Sequence, residues 1–72
     1  MTKLRYKFNP IPIINYIKEN EISKAEFCRR CKITPYILRK MYLGNTDFDI
    51  VSWVRVANTL NVNPAVLITE IH

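Results

Sequence analysis

The sequence has one glycine among 72 residues, one histidine, and no apolar run approaching the thickness of a bilayer. Each shortage excludes something. With a single glycine there is no phosphate-cradling loop, and few positions suit the tight turns of an all-β chain. The lone histidine, His72, leaves no base to pair with a nucleophile at usable spacing. Together with Cys28 and Cys31 it falls short of the four ligands of a structural zinc site. The expectation is a chain that is not an enzyme and holds no metal or cofactor. A membrane span needs about 20 consecutive apolar residues. At the start, Lys3, Arg5 and Lys7 alternate with Leu4, Tyr6 and Phe8, unlike the continuous apolar segment of a secretory signal. A soluble, cytoplasmic protein is expected.

What is present describes a small folded domain. Hydrophobic residues make up 49% and charged ones 24%, a globular balance and not that of a disordered chain. So short a chain buries only roughly 60% of the surface it exposes when unfolded, so a single domain over residues 1–72 with an economical core is expected. The net charge is +5, unevenly spread. Met1 to Leu43 carries ten Lys/Arg and three acids, whereas Gly44 to His72 carries one Arg and three acids. A one-sided positive field favours a polyanion such as DNA, RNA or an anionic membrane surface, against the plainer alternative of a solvated basic face. Cys28 and Cys31 fall one helical turn apart, where small apolar thiols pack into a core; no strand precedes them as a redox motif would need.

Capping residues punctuate the chain. Residues 1–9 form a basic arm whose alternation suits a short strand or an extended segment, laid along DNA, on the body or on a partner chain. Asn9, Pro10 and Pro12 open a first helix that reaches about Asn20, with Ile13, Ile14, Tyr16 and Ile17 as its apolar stripe. Ser23 with Glu26 is a capping box, and Ile22 with Phe27 is a hydrophobic staple, for a second helix ending near Cys31. Ala25, Phe27, Cys28 and Cys31 are its inward candidates. After a turn at Lys32 and Ile33, Thr34 caps a third helix with Pro35 in its first turn, Leu38 and Met41 inward, and Gly44 as its left-handed stop. Asp49 caps a fourth helix carrying Ile50, Trp53, Val54, Val56, Ala57 and Leu60, with Trp53 expected to be the largest contributor to the core. Asn63 and Pro64 repeat the cap-then-proline pattern and predict a fifth helix through Ala65, Val66, Leu67 and Ile68.

This arrangement resembles the lambda-repressor and Cro type of helix-turn-helix family. Ile22, Ser23, Phe27, Cys28, Cys31, Ile33, Thr34, Leu38, Met41 and Gly44 fall without a gap on that family's pattern of Leu, Ser, Leu, small, Leu, Val, Ser, Ile, hydrophobic and Gly. Ile50, Trp53, Val56, Ala57, Leu60 and Val62 continue it in register, so the likeness covers Ile13 to Ile68, with residues 23–44 as the helix-turn-helix unit. Lys24 replaces the family glutamine, Lys32 the turn glycine and Tyr42 a frequent glutamate. The fold implied is an all-α, lambda-repressor-like bundle of five short helices with an N-terminal extended arm.

The resemblance implies that the third helix enters the major groove while the second crosses the backbone. Its base-facing candidates are Thr34, Pro35, Tyr36, Arg39 and Lys40. Arg39 or Lys40 suits guanine O6 and N7, and Pro35, Ile37 and the Tyr36 ring suit a thymine methyl. Lys24, Arg29, Arg30, Asn45 and Thr46 are candidates for phosphate contacts, which position a protein without reading sequence. The leading expectation is a small prokaryotic or phage transcriptional regulator binding double-stranded DNA in a sequence-specific way, as a homodimer on a two-fold site. The alternative is the same fold used as a protein-interaction module, antitoxin-like or regulator-binding, which the apolar Pro35, Tyr36 and Ile37 favour.

Overall fold

The computed structural model of the protein describes residues 5–71; the first four residues of the basic arm and His72 lie outside them. The order of elements is β1 (Arg5–Phe8), α1 (Ile11–Glu19), α2 (Lys24–Cys31), α3 (Pro35–Tyr42), α4 (Ile50–Leu60), a single 3-10 turn (Pro64–Leu67) and β2 (Ile68–Ile71). Among the described residues there are thus four α-helices and one two-stranded antiparallel sheet, not an all-α bundle of five helices.

Two physical reasons account for that correction. The Asn63 cap forms as expected, its Oδ1 accepting from the Ala65 N–H at 2.9 Å, but the helix it opens lasts one 3-10 turn. Beyond it, Ile68, Thr69 and Ile71 are β-branched, which favours extended backbone, and β1 supplies a partner strand. Arg5 pairs with Ile71, Tyr6 with Glu70, Lys7 with Thr69 and Phe8 with Ile68, so of the strand and the extended segment expected for the arm, residues 5–8 form the strand, one half of a ribbon. The Asn9 N–H donates to the Leu67 carbonyl at 2.7 Å and continues the ladder to the body.

The helix starts follow the sequence reading. Ser23 Oγ accepts from the Glu26 N–H, Thr34 Oγ1 from that of Ile37, and Asp49 Oδ2 from that of Ser52. Asn9 Oδ1 accepts from the Ile11 N–H at the start of α1. The reciprocal half of the capping box is absent: the Glu26 carboxylate turns to Arg29 and Arg30 on its own helix instead.

Every helix end meets the shortage of glycine. The four α-helices are each followed by a residue of positive φ, namely Glu21, Lys32, Gly44 and Asn61, of which only Gly44 lacks a Cβ. The hydrogen-bond pattern is the same each time. After α3 the Asn45 N–H reaches the Lys40 carbonyl and the Gly44 N–H that of Met41. After α2 the Ile33 N–H reaches Cys28 and the Lys32 N–H reaches Arg29. These are Schellman closures, which return the chain abruptly toward the next element.

The core is built from Phe8, Ile13, Phe27, Cys28, Cys31, Ile33, Leu38, Met41, Val56, Ala57 and Leu67. Trp53 is only partly buried, and Phe8 and Phe27 are the largest fully buried side chains. The indole sits at the edge because its N–H needs an acceptor, found 2.9 Å away in the Pro64 carbonyl. Ala25, Ile14, Ile50 and Val54, read as inward or as part of an apolar stripe, are exposed. Ser52 is buried instead, its hydroxyl donating to Asp49 Oδ1 at 2.7 Å. No helix among the described residues is long and apolar enough to cross a membrane.

Candidate functional site

The surface shared by α2 and α3 is set by the periodicity of each helix. On α2, Lys24 and Cys28 fall on one face, while Glu26 and Arg30 fall on the opposite one. On α3, Leu38 and Met41 turn inward, leaving Pro35, Tyr36 and Arg39 in solvent. Between the two helices lies a groove of about 430 Å³ lined by Lys24, Ala25, Cys28, Pro35, Leu38, Arg39 and Tyr42. Its walls are mostly apolar, with one cation on each rim. Lys24 Nζ lies 4.5 Å from the centroid of the Tyr42 ring, a cation–π contact that holds the ammonium over the groove.

The turn between α2 and α3 is fixed from two sides. Lys32 adopts φ 58 and ψ 44, and its carbonyl accepts from Arg55 Nη1 of α4 at 3.0 Å. That long side chain ties the turn to α4, which packs directly on α2. Cys28 lines the groove and Cys31 lies in the core, and burial pushes both thiols up in pKa.

The structure divides the residues anticipated from sequence. Thr34 at the cap of α3, Pro35 and Tyr36 in its first turn and Arg39 in its last turn are all exposed, Tyr36 by 65%. Lys24 joins Pro35 and Arg39 at the groove. Asn45 and Thr46 are exposed just past α3.

Lys40 is folded back: its Nζ donates to the Asp47 carbonyl at 2.7 Å, lies 3.5 Å from the Asp47 carboxylate and stands 4.9 Å from the centroid of the Tyr36 ring. It braces Tyr36 and the loop after α3. Arg29 and Arg30 share the Glu26 carboxylate at 2.7 and 3.3 Å. Arg30 also donates to the Tyr16 hydroxyl at 3.1 Å, so it links α2 to α1 on the side away from the groove. Hydrogen bonds from Arg29 and Arg30 hold the Glu26 carboxyl below its ordinary pKa, and those to Tyr16 and Glu26 raise that of Arg30.

Ala25 and Tyr42 belong to the groove and were not anticipated as site residues. A signal existed for Tyr42, an aromatic where the resembling family often has a glutamate. Ala25 carried none, since a small apolar residue beside a cap reads as core.

Compared with family models, curated proteins and solved structures, the chain matches none. Among the described residues no three His, Cys, Asp or Glu side chains gather as a metal site would require. The surface of α2 and α3 offers the cations of Lys24 and Arg39, the Tyr36 ring and the apolar lining of the groove.

Proposed function

We propose that the protein binds double-stranded DNA in a sequence-specific way through α3, as a homodimeric regulator of transcription with a helix-turn-helix architecture. One observation carries this reading: Thr34, the cap of α3, and Pro35, Tyr36 and Arg39 along it all stand exposed, while Lys24 at the start of α2 lines the same groove as Pro35 and Arg39. A helix of this kind fits the major groove, and its first turns reach base edges. Arg39 is the guanine reader, a fixed guanidinium fork suited to O6 and N7. Tyr36, steadied by Lys40, and Pro35 supply apolar contact to thymine methyl groups. Lys24, Asn45 and Thr46 meet phosphates, with Arg29 at the flank; Arg30 is withdrawn from this set by its bond to Tyr16. Two copies on a symmetric site supply the base contacts that one small module lacks.

The test is selection of bound sequences from a random duplex pool by the full chain. A two-fold symmetric site is expected, and Arg39→Ala should weaken it by about 1–3 kcal/mol and relax preference at one position of each half-site. A pool that emerges unchanged, or a variant with the same preferences as the parent, refutes the reading.

The apolar lining of the groove favours a second reading, in which α2 and α3 clasp an apolar side chain of a partner protein. A stoichiometric protein complex that Ala25→Glu abolishes, with no shift of any duplex, selects that alternative.

A further inference from the structure

The β1–β2 ribbon sorts its charges by face. In a strand, alternate residues point to the same side, and directly paired residues of neighbouring strands share a side. The register therefore puts Phe8, Ile68, Tyr6 and Glu70 on one face and Arg5, Lys7, Thr69 and Ile71 on the other. The first face is rooted in the body by Phe8, fully buried and edge-on to Phe48 with ring centroids 5.6 Å apart. The second carries two cations and no acid. Slipping the register by one residue would set Glu70 opposite Arg5 or Lys7 and neutralise the face. In the register adopted, the one acid of the ribbon stands across from Tyr6, and among the described residues no carboxylate pairs with Arg5 or Lys7.

The ribbon is also fixed in position relative to α3. The Phe8 N–H donates to the Gly44 carbonyl at 2.8 Å, so the outer edge of β1 is fastened to the residue that ends α3. A Cβ placed on Gly44 would lie 3.7 Å from Lys7 Cβ, so the Lys7 stem runs directly over that glycine. Its exposed neighbours on the next stretch of chain are Asn45 and Thr46. A cation here, over the glycine that ends α3 and next along the chain to Asn45 and Thr46, suits a phosphate backbone continuing past that helix.

We infer that the Arg5 and Lys7 face of the β1–β2 ribbon is a second, sequence-independent contact to the phosphate backbone of duplex DNA, continuing the α2–α3 surface past the end of α3. This rests on the reading of the chain as a duplex-binding protein. The two residues add affinity and no base preference, because a phosphate is the same at every position.

The experiment measures affinity of the full chain for a selected duplex and for an unrelated one across a range of salt concentrations. Parent, Arg5→Gln/Lys7→Gln and charge-preserving Arg5→Lys/Lys7→Arg chains are compared. Each neutralised phosphate contributes about 0.9 to the slope of log affinity against log salt, so the glutamine pair should lower that slope by about 1.8 per bound chain. The loss should be equal on both duplexes, and the charge-preserving pair should keep the parental slope. Should the glutamine pair lose helical circular dichroism, Lys7→Gln alone takes its place with about half the change expected. A parent that binds no duplex overturns the functional reading, and this inference with it. A parent that binds while the glutamine pair keeps its slope overturns the ribbon contact alone, as does a loss confined to the selected duplex. Equal binding of the parent to phosphatidylserine vesicles, lost in the glutamine pair without a change on DNA, assigns the face to a membrane instead and overturns the inference.

Discussion

Replacing Lys32 by glycine should stabilise this protein, although it removes a side chain and a charge. Lys32 ends α2 in the left-handed region, at φ 58 and ψ 44. There an L-residue brings its Cβ against the following carbonyl, a strain of roughly 1–2 kcal/mol. Glycine removes that strain but has more freedom to lose on folding, which takes back roughly 0.4–1 kcal/mol. The net gain is about 0.5–1 kcal/mol, or roughly 3–6 °C in Tm for a domain of this size. Nothing else in the structure opposes it. Lys32 is exposed, and its fixed contacts are backbone ones, the N–H to the Arg29 carbonyl and the carbonyl to Arg55, which glycine retains.

Thermal unfolding followed by circular dichroism at about 0.15 M salt, where the Debye length is about 8 Å, limits the separate benefit of removing a positive charge. Lys32→Ala isolates what remains: it loses the charge but keeps the Cβ, and should gain little. Gly44→Ala is the mirror experiment. Gly44 has φ 83, and a Cβ there meets only ordinary contacts at 3.7 Å and beyond, so its loss of about 0.5–1 kcal/mol is one of backbone alone. Equal stability of the glycine and alanine variants at position 32 would refute the strain argument.

The ribbon and the caps give two further expectations. Phe8→Ala should lose about 3–5 kcal/mol, since a fully buried ring that roots β1 leaves a cavity beneath the sheet. Against a total of roughly 4–11 kcal/mol for a chain of this length, urea unfolding should show a much-reduced midpoint; an unchanged one would mean that the strand adds nothing to the fold. Stability should also fall in acid. Hydrogen bonds from Arg29 and Arg30 lower the Glu26 pKa from its ordinary 4.5, and those from the Ser52 hydroxyl and N–H lower that of Asp49 from 3.8. A carboxyl whose folded pKa is depressed stabilises above its unfolded value and ceases to do so as pH falls through the folded one. The urea midpoint should therefore hold at neutral pH and decline below about pH 4.5, with Ser52→Ala flattening the Asp49 part. A midpoint constant from about pH 6 to about pH 2 would refute this.

Much of the fold was legible because it is made of short-range interactions. Ser23, Thr34 and Asp49 each cap a backbone N–H three residues on, a relation visible in sequence as a hydroxyl or carboxylate ahead of an apolar period. Gly44 was readable as a stop for the same reason. Thr34, Pro35, Tyr36 and Arg39 follow once α3 is known to bury Leu38 and Met41, because helical geometry sends them outward.

Other assignments failed where one side chain chose among several partners. Glu26 had the spacing of a reciprocal cap, yet two guanidiniums one turn away made a stronger, charge-assisted pair. Trp53 looked like the centre of the core, and the need of its N–H for the Pro64 carbonyl put it at the rim.

The sequence by itself determined where the four α-helices begin and end, most of the residues each buries, and that the positive charge lies in one half, for these depend on residues within about a turn of one another or on composition. Only the tertiary structure decided that Arg5–Phe8 and Ile68–Ile71 are strands. Arg5–Phe8 has the alternation of a strand, but neither segment has the length to form a sheet alone, and each becomes a strand because the helical body brings the other alongside to satisfy its backbone. The same long-range pairing fixed which face holds Arg5 and Lys7, and set Lys7 over Gly44 at the end of α3.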